Sequence, residues 1–254
     1  MLTGSKRITK GPAPLLTRDD AFWTPQRQRD GLVILLTLVT GSIDAIGFTR
    51  LGGVFTSVMT GNMVLLGVAG GKGDVSLALH TGITFLGFVA GSFVGARIAG
   101  HSEKDDGLWP RPILMALALE LAVLFVFAAW WEIASGAPTH GTEYAMLCIN
   151  AIALGVQSAA VLRFGISGLS TTYLTGTLTQ LLASVAKRKE PILWRSVFIL
   201  LALIVGAGIG AAVAVRASRF APILPVGVLA FVLVCGESAF HRRVKRQELS
   251  SVTR

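Results

Sequence analysis

Asp44 is a carboxylate set inside the apolar run 31–49, and it is the residue with the sharpest chemical meaning in the chain. A charged group in the middle of a membrane segment costs at least ~2.5–3.5 kcal/mol on insertion scales, so it must face protein or water. Thr37, Thr40, Gly41, Asp44 and Gly47 recur at the spacing of one helical face, which is small and polar among leucines. Two chemistries fit that face. One is an ion or proton site, and the other is a carboxylate that caps irregular backbone near Gly52 and Gly53.

Further along, Thr60, Gly61 and Asn62, with Thr56 and Ser57, place hydroxyls and an amide beside a glycine. Thr171, Thr172, Thr175, Gly176, Thr177 and Gln180 form a second such patch. Paired polar patches at a repeat interface are where a transporter binds its solute. The same residue types also serve as helix–helix glue, so packing is the competing reading. Asn150 and Gln157 lie two turns apart on one face and extend the polar seam. Glu120 is a second acid deep in an apolar run, whereas Glu237 lies close enough to Arg242 and Arg243 to form an interfacial ion pair. The candidate solute- or ion-binding set is therefore Asp44, Thr60, Asn62, Glu120, Gln157, Thr172, Thr175 and Thr177.

Enzymatic chemistry finds little support. The string Gly165-Ile166-Ser167-Gly168 matches the serine motif of rhomboid-type intramembrane proteases, but the histidine that follows it, His241, lies in the basic tail. A serine nucleophile needs a base within reach. His80, His101 and His140 show no metal-ligand spacing. Cys148 and Cys235 sit in apolar runs and read as packing residues. No catalytic residue, metal or cofactor is expected.

The elements that carry these residues are membrane segments. The chain of 254 residues is 52% hydrophobic and 15% charged, with a mean hydropathy of +0.66, outside the soluble range. The net charge of +9 does not point to nucleic acid, because the basic residues cluster at the two ends and in particular loops. Eight apolar segments stand out, at 31–49, 54–70, 77–99, 113–131, 144–162, 168–186, 192–215 and 223–240. Residues 1–30 read as a disordered basic cytoplasmic tail, 31–240 as one transmembrane domain and 241–254 as a second cytoplasmic tail. Tryptophans near segment ends suit the lipid–water boundary.

A repeat organises the segments. Thr60-Gly61 returns 115 residues later as Thr175-Gly176, and the same offset carries Gly91 onto Gly206 and Gly95 onto Gly210. The units are 31–131 and 145–240. If all eight segments cross, basic residues fall on both sides. If each opening pair makes one net crossing, the tails and the loops around Arg97–Arg111 and Lys187–Arg195 share one side, leaving Lys72, Arg216 and Arg219 opposite. The positive-inside rule prefers the second arrangement: six net spans, opposed units and a broken or re-entrant opening element in each. Gly87, Gly91 and Gly95, with Gly206, Gly210, Gly61 and Gly176, are expected at close helix contacts. The glycine ladders also suggest a homodimer.

The stretches GSIDAIGF…VFTSVMTGN and GVQSA…STTYLTGTLTQL resemble the YoaK-like family of bacterial inner-membrane proteins, a domain of unknown function. The strongest marks are Asp44-Ala45, Thr60-Gly61-Asn62, Thr171-Thr172 and Thr175-Gly176-Thr177. The family has asparagine before alanine in the second unit, where this chain has Ser158. The resemblance implies about six spans and an inner-membrane location, and it implies no activity. The expectation is an all-α multi-pass inner-membrane protein with both termini cytoplasmic. In function it is expected to be a permease for a small solute, with proton coupling through Asp44. The alternative is a non-transporting scaffold or sensor subunit.

Overall fold

Inside a bilayer no water is available to the backbone, so an apolar run satisfies its N–H and C=O groups by forming a helix. The structure, a computed structural model, describes residues 25–101, 109–139, 141–164, 174–186 and 194–252. Within them are eight α-helices and no strand. They are α1 (Pro25–Arg50), α2 (Met59–Lys72), α3 (Val75–Ala99), α4 (Arg111–Ile133), α5 (Thr142–Leu162), α6 (Leu174–Ala186), α7 (Trp194–Arg216) and α8 (Ile223–Val252). Six stretches are long and apolar enough to cross a membrane: α1, α3, α4, α5, α7 and the stretch 218–241 that holds most of α8. With 14 and 13 residues, α2 and α6 reach only about 20 Å, short of the ~30 Å hydrocarbon core.

Two helices begin or end beyond their apolar limits. α1 starts at Pro25 rather than at 31, and α8 continues to Val252 rather than ending at 240. Apolarity limits a helix only inside the hydrocarbon, and at the start of α1 polar pairs sustain it outside. Arg29 donates to Asp30 at 2.9 Å, and Arg195 lies 3.6 Å from the same carboxylate.

Contacts at the helix ends sort the spans into two faces. At one face, Gly52 after α1 lies against His80 near the start of α3, and His80 meets Glu143 at the start of α5. There too, Arg50 at the end of α1 and Ser218 ahead of α8 both donate to the Gly136 carbonyl that follows α4. At the other face, Arg29 lies over Phe164, Arg163 donates to Ala99 O, and Trp109 packs edge-on to Phe164. The six long helices therefore alternate in direction.

Helices α1 and α5 form the centre, each with 67% of its apolar window buried, against 22–39% for the other four. Two helix pairs pack parallel with backbones in contact. Leu38 O and Ser42 Cα of α1 would lie 2.2 and 2.7 Å from a Cβ added at Gly206 and Gly210 of α7. Ile152 O and Val156 Cα of α5 would lie 2.1 and 2.8 Å from a Cβ added at Gly91 and Gly95 of α3. Gly41 and Gly155 complete these seams from the central helices, facing Leu203 O and Phe88 O. The glycine ladders are thus filled from within the chain. Two packing glycines differ from expectation: among the described residues nothing lies within 4 Å of a Cβ at Gly176, and only the Val58 side chain does at Gly61. Both occupy the short helices, which lie at the edge of the bundle.

Candidate functional site

Asp44 lies six residues before the end of α1, about 9 Å in from that end. The chain leaves α1 through Gly52 and Gly53, at φ +96° and +74°, where residues other than glycine are strained. It then folds back along α1 without helical structure until α2 begins at Met59. Unpaired backbone at this depth is costly, and Asp44 relieves it. Its Oδ1 accepts from Thr56 N (2.7 Å), Thr56 Oγ1 (2.9 Å) and Ser57 N (2.8 Å), and its Oδ2 accepts from Ser57 Oγ (2.5 Å).

Asn62, on the first turn of α2, closes the same return from the other side. Its Oδ1 accepts from Phe55 N at 3.3 Å and its Nδ2 donates to Phe55 O. Asp44 and Asn62 are both buried, and each satisfies backbone of residues 55–57. The opening element is thus a full span followed by a tied-down return and a short helix, not one broken helix. The carboxylate caps backbone as one of the two readings required, but at Thr56 and Ser57 instead of at the glycines. The glycines only make the turn.

His80 seals the top of the return. Its Nδ1 contacts Ser76 O at 2.7 Å, its Nε2 lies 3.3 Å from Glu143 Oε1, and its ring packs at a 43° tilt to that of Tyr144, with centroids 4.4 Å apart. Sequence reasoning placed His80 at a segment end without a role. The fold shows that Gly52 leaves the space its ring fills, since a Cβ there would lie 2.1 Å from the imidazole.

A second polar group sits deeper, between the central helices and α4. Gln157 of α5 donates to Thr40 Oγ1 (2.7 Å) and Leu36 O (3.3 Å) of α1. Its Oε1 has no hydrogen-bond partner among the described residues. The same holds for both oxygens of Glu120 and both amide atoms of Asn150. All three side chains are fully buried. Buried polar groups in folded proteins are nearly always paired, and each exception calls for an explanation.

Among the described residues, the helices that carry the two threonine patches pack on different partners. α2 packs on α3, and α6 packs on α7. Thr60 and Thr175 lie on the outer surface of the bundle, while Thr177 is buried. Thr172 lies outside the described residues, as does the 165–168 string. Glu237 pairs within its own helix, 3.5 Å from His241 Nδ1. A groove of about 560 Å³ between α4 and α8 holds the Glu132–Arg219 ion pair, and none of the sequence candidates lines it.

Six alternating apolar helices with polar side chains enclosed at their centre define a multi-pass integral membrane protein. The family model described as "Protein of unknown function (DUF1275)" matches residues 32–235, and the chain belongs to that family. It is also similar to the UPF0700 transmembrane protein YoaK of Bacillus subtilis (strain 168), at 38% identity over 165 residues that cover 65% of this chain and 71% of that protein. No solved structure matches.

Proposed function

We propose that this protein is a secondary permease for a small polar solute, built from two opposed units, in the bacterial inner membrane with both termini cytoplasmic. The observation that carries the proposal is that both oxygens of Glu120, both amide atoms of Asn150 and Oε1 of Gln157, all buried on the packed helices α4 and α5, lack hydrogen-bond partners among the described residues. A membrane scaffold has no use for bare polar atoms at this depth, where each costs on the order of 1–3 kcal/mol. A solute pathway does, because such atoms bind what passes.

The opposed arrangement is supported by the two parallel pairs, α1 with α7 and α3 with α5. Gly91 and Gly95 on α3 correspond by the sequence offset to Gly206 and Gly210 on α7, and their partners Ile152 and Val156 correspond to Leu38 and Ser42. Orientation follows from charge. Arg29, Arg97, Arg111, Arg163 and Arg195 gather at the face where α1 begins, and Arg50, Lys72, Arg216 and Arg219 at the other. The larger basic set, joined by the basic residues of both tails, belongs inside.

Thiol labelling tests the reading without a known solute. In full-length protein with Cys148 and Cys235 replaced by alanine, Gln157→Cys and Asn150→Cys should react with a membrane-impermeant maleimide in intact cells or in inverted vesicles. Inertness of both positions from both sides would instead fit a dry scaffold.

A further inference from the structure

The bundle buries two acids, Asp44 and Glu120, and only one of them is free to bind anything. Asp44 accepts four hydrogen bonds from residues 56 and 57, whereas Glu120 has none among the described residues. Glu120 lies 13 residues, about 20 Å, from the end of α4, and Gln157 lies 15 residues, about 22 Å, from the start of the antiparallel α5. The bare carboxyl and the bare amide oxygen therefore share one depth near the middle of the bundle.

Among the described residues, no cation reaches that depth. The ionisable groups on the helices packed against α4 are His80 and Arg97 on α3, Glu143, Tyr144 and Cys148 on α5, and Cys235, Glu237 and His241 on α8, followed toward its C-terminal end by Arg242, Arg243, Lys245, Arg246 and Glu248. Arg219 precedes α8, Asp44 is engaged on α1, and Arg111 and Glu132 lie at the ends of α4 itself. These cationic residues all lie near the ends of the membrane-spanning stretches.

We infer that Glu120 is the proton-carrying group of this protein and that Asp44 is not. Carrying a proton is what lets an unpaired acid sit at membrane depth without a counter-charge. A metal cation would need a shell of ligands, and no group of three or more His, Cys, Asp or Glu side chains able to hold one is found among the described residues. The step balances by itself: the carboxylate takes one proton from water at one face, becomes a neutral acid, and returns the same proton at the other. The inference rests on the permease reading for its purpose, but its test does not.

The full-length protein in lipid is titrated while the carbonyl stretch of protonated carboxylic acids is followed by infrared difference spectroscopy. Wild type should show an acid band that is lost as pH rises. Glu120→Gln should abolish that band, Glu120→Asp should shift its frequency, and Asp44→Asn should retain it. Survival of the band in Glu120→Gln, or its loss to added sodium at constant pH, would overturn the inference, and in the second case a metal cation would take the proton's place. If the band behaves as expected while Gln157→Cys and Asn150→Cys stay unlabelled, the permease reading fails and the proton site stands. If both positions are labelled and wild type shows no such band, the proton site fails and the permease reading stands.

Discussion

Two acids lie inside the same bundle, and the fold treats them oppositely. The carboxylate of Asp44 meets four donors that all belong to one short return of the chain. Glu120, on a straight regular helix, meets none among the described residues. The difference teaches that burial alone does not mark a functional acid. An acid that solves a backbone problem is part of the architecture, because irregular main chain at membrane depth needs acceptors and donors that the lipid cannot supply. An acid that solves no such problem, on a helix whose own hydrogen bonds are complete, is available for chemistry.

That contrast gives opposite signs under substitution. Asp44→Ala should be the most damaging single change, leaving two backbone and two hydroxyl donors without their acceptor. The cost is on the order of 3 kcal/mol or more, read as loss of monodisperse protein and a large drop in Tm. Next come Gly91→Val and Gly206→Val, which drive a side chain into Ile152 O and Leu38 O respectively. Each should cost about 1–3 kcal/mol, and two opposed units require the two costs to be similar. A strongly unequal pair would break that symmetry. Glu120→Leu should go the other way and raise stability by about 1–2 kcal/mol, since it removes an unpaired buried polar group. If it destabilised as Asp44→Ala does, the comparison would collapse. Thr60→Val, on the outer surface, should fall within about 0.5 kcal/mol of wild type. Once a transported solute is known, Asp44→Asn should slow uptake without changing its pH profile. A change in profile would return coupling to Asp44.

Much of this was legible beforehand. Eight apolar segments became eight helices, and six of those are long enough to cross. Asp44 was recognisable as an acid that needed either a ligand or backbone to cap. The choice between these was not legible, because Thr56 and Ser57 are separated from Asp44 by a turn whose path depends on tertiary contacts, including the ring of His80 against Gly52. The polar seam was drawn from α2 to α6 by motif similarity. Motifs report local chemistry, and short helices at the bundle edge do not carry it to the centre. The central polar group is instead Glu120, Asn150 and Gln157. Asn150 and Gln157 were visible as one helical face that extends the polar seam, and Glu120 as a separate acid; that all three keep unpartnered polar atoms was not visible. The role of Gly41 and Gly155 as the central-helix half of each backbone seam emerged only with the partner helices in place.

By itself, the sequence determined what depends on local composition and on counting. Apolar length fixes which segments are able to cross, because the bilayer sets a thickness, and the spacing of small residues fixes which helix faces are able to approach closely. Tertiary structure decided which helices those faces meet and which buried acid is spoken for. Both depend on groups brought together from distant parts of the chain, and hydrogen bonding at membrane depth is decided by which of those groups arrive. The Asp44 carboxylate found its donors in the returning backbone, and Glu120 was left with none among the described residues.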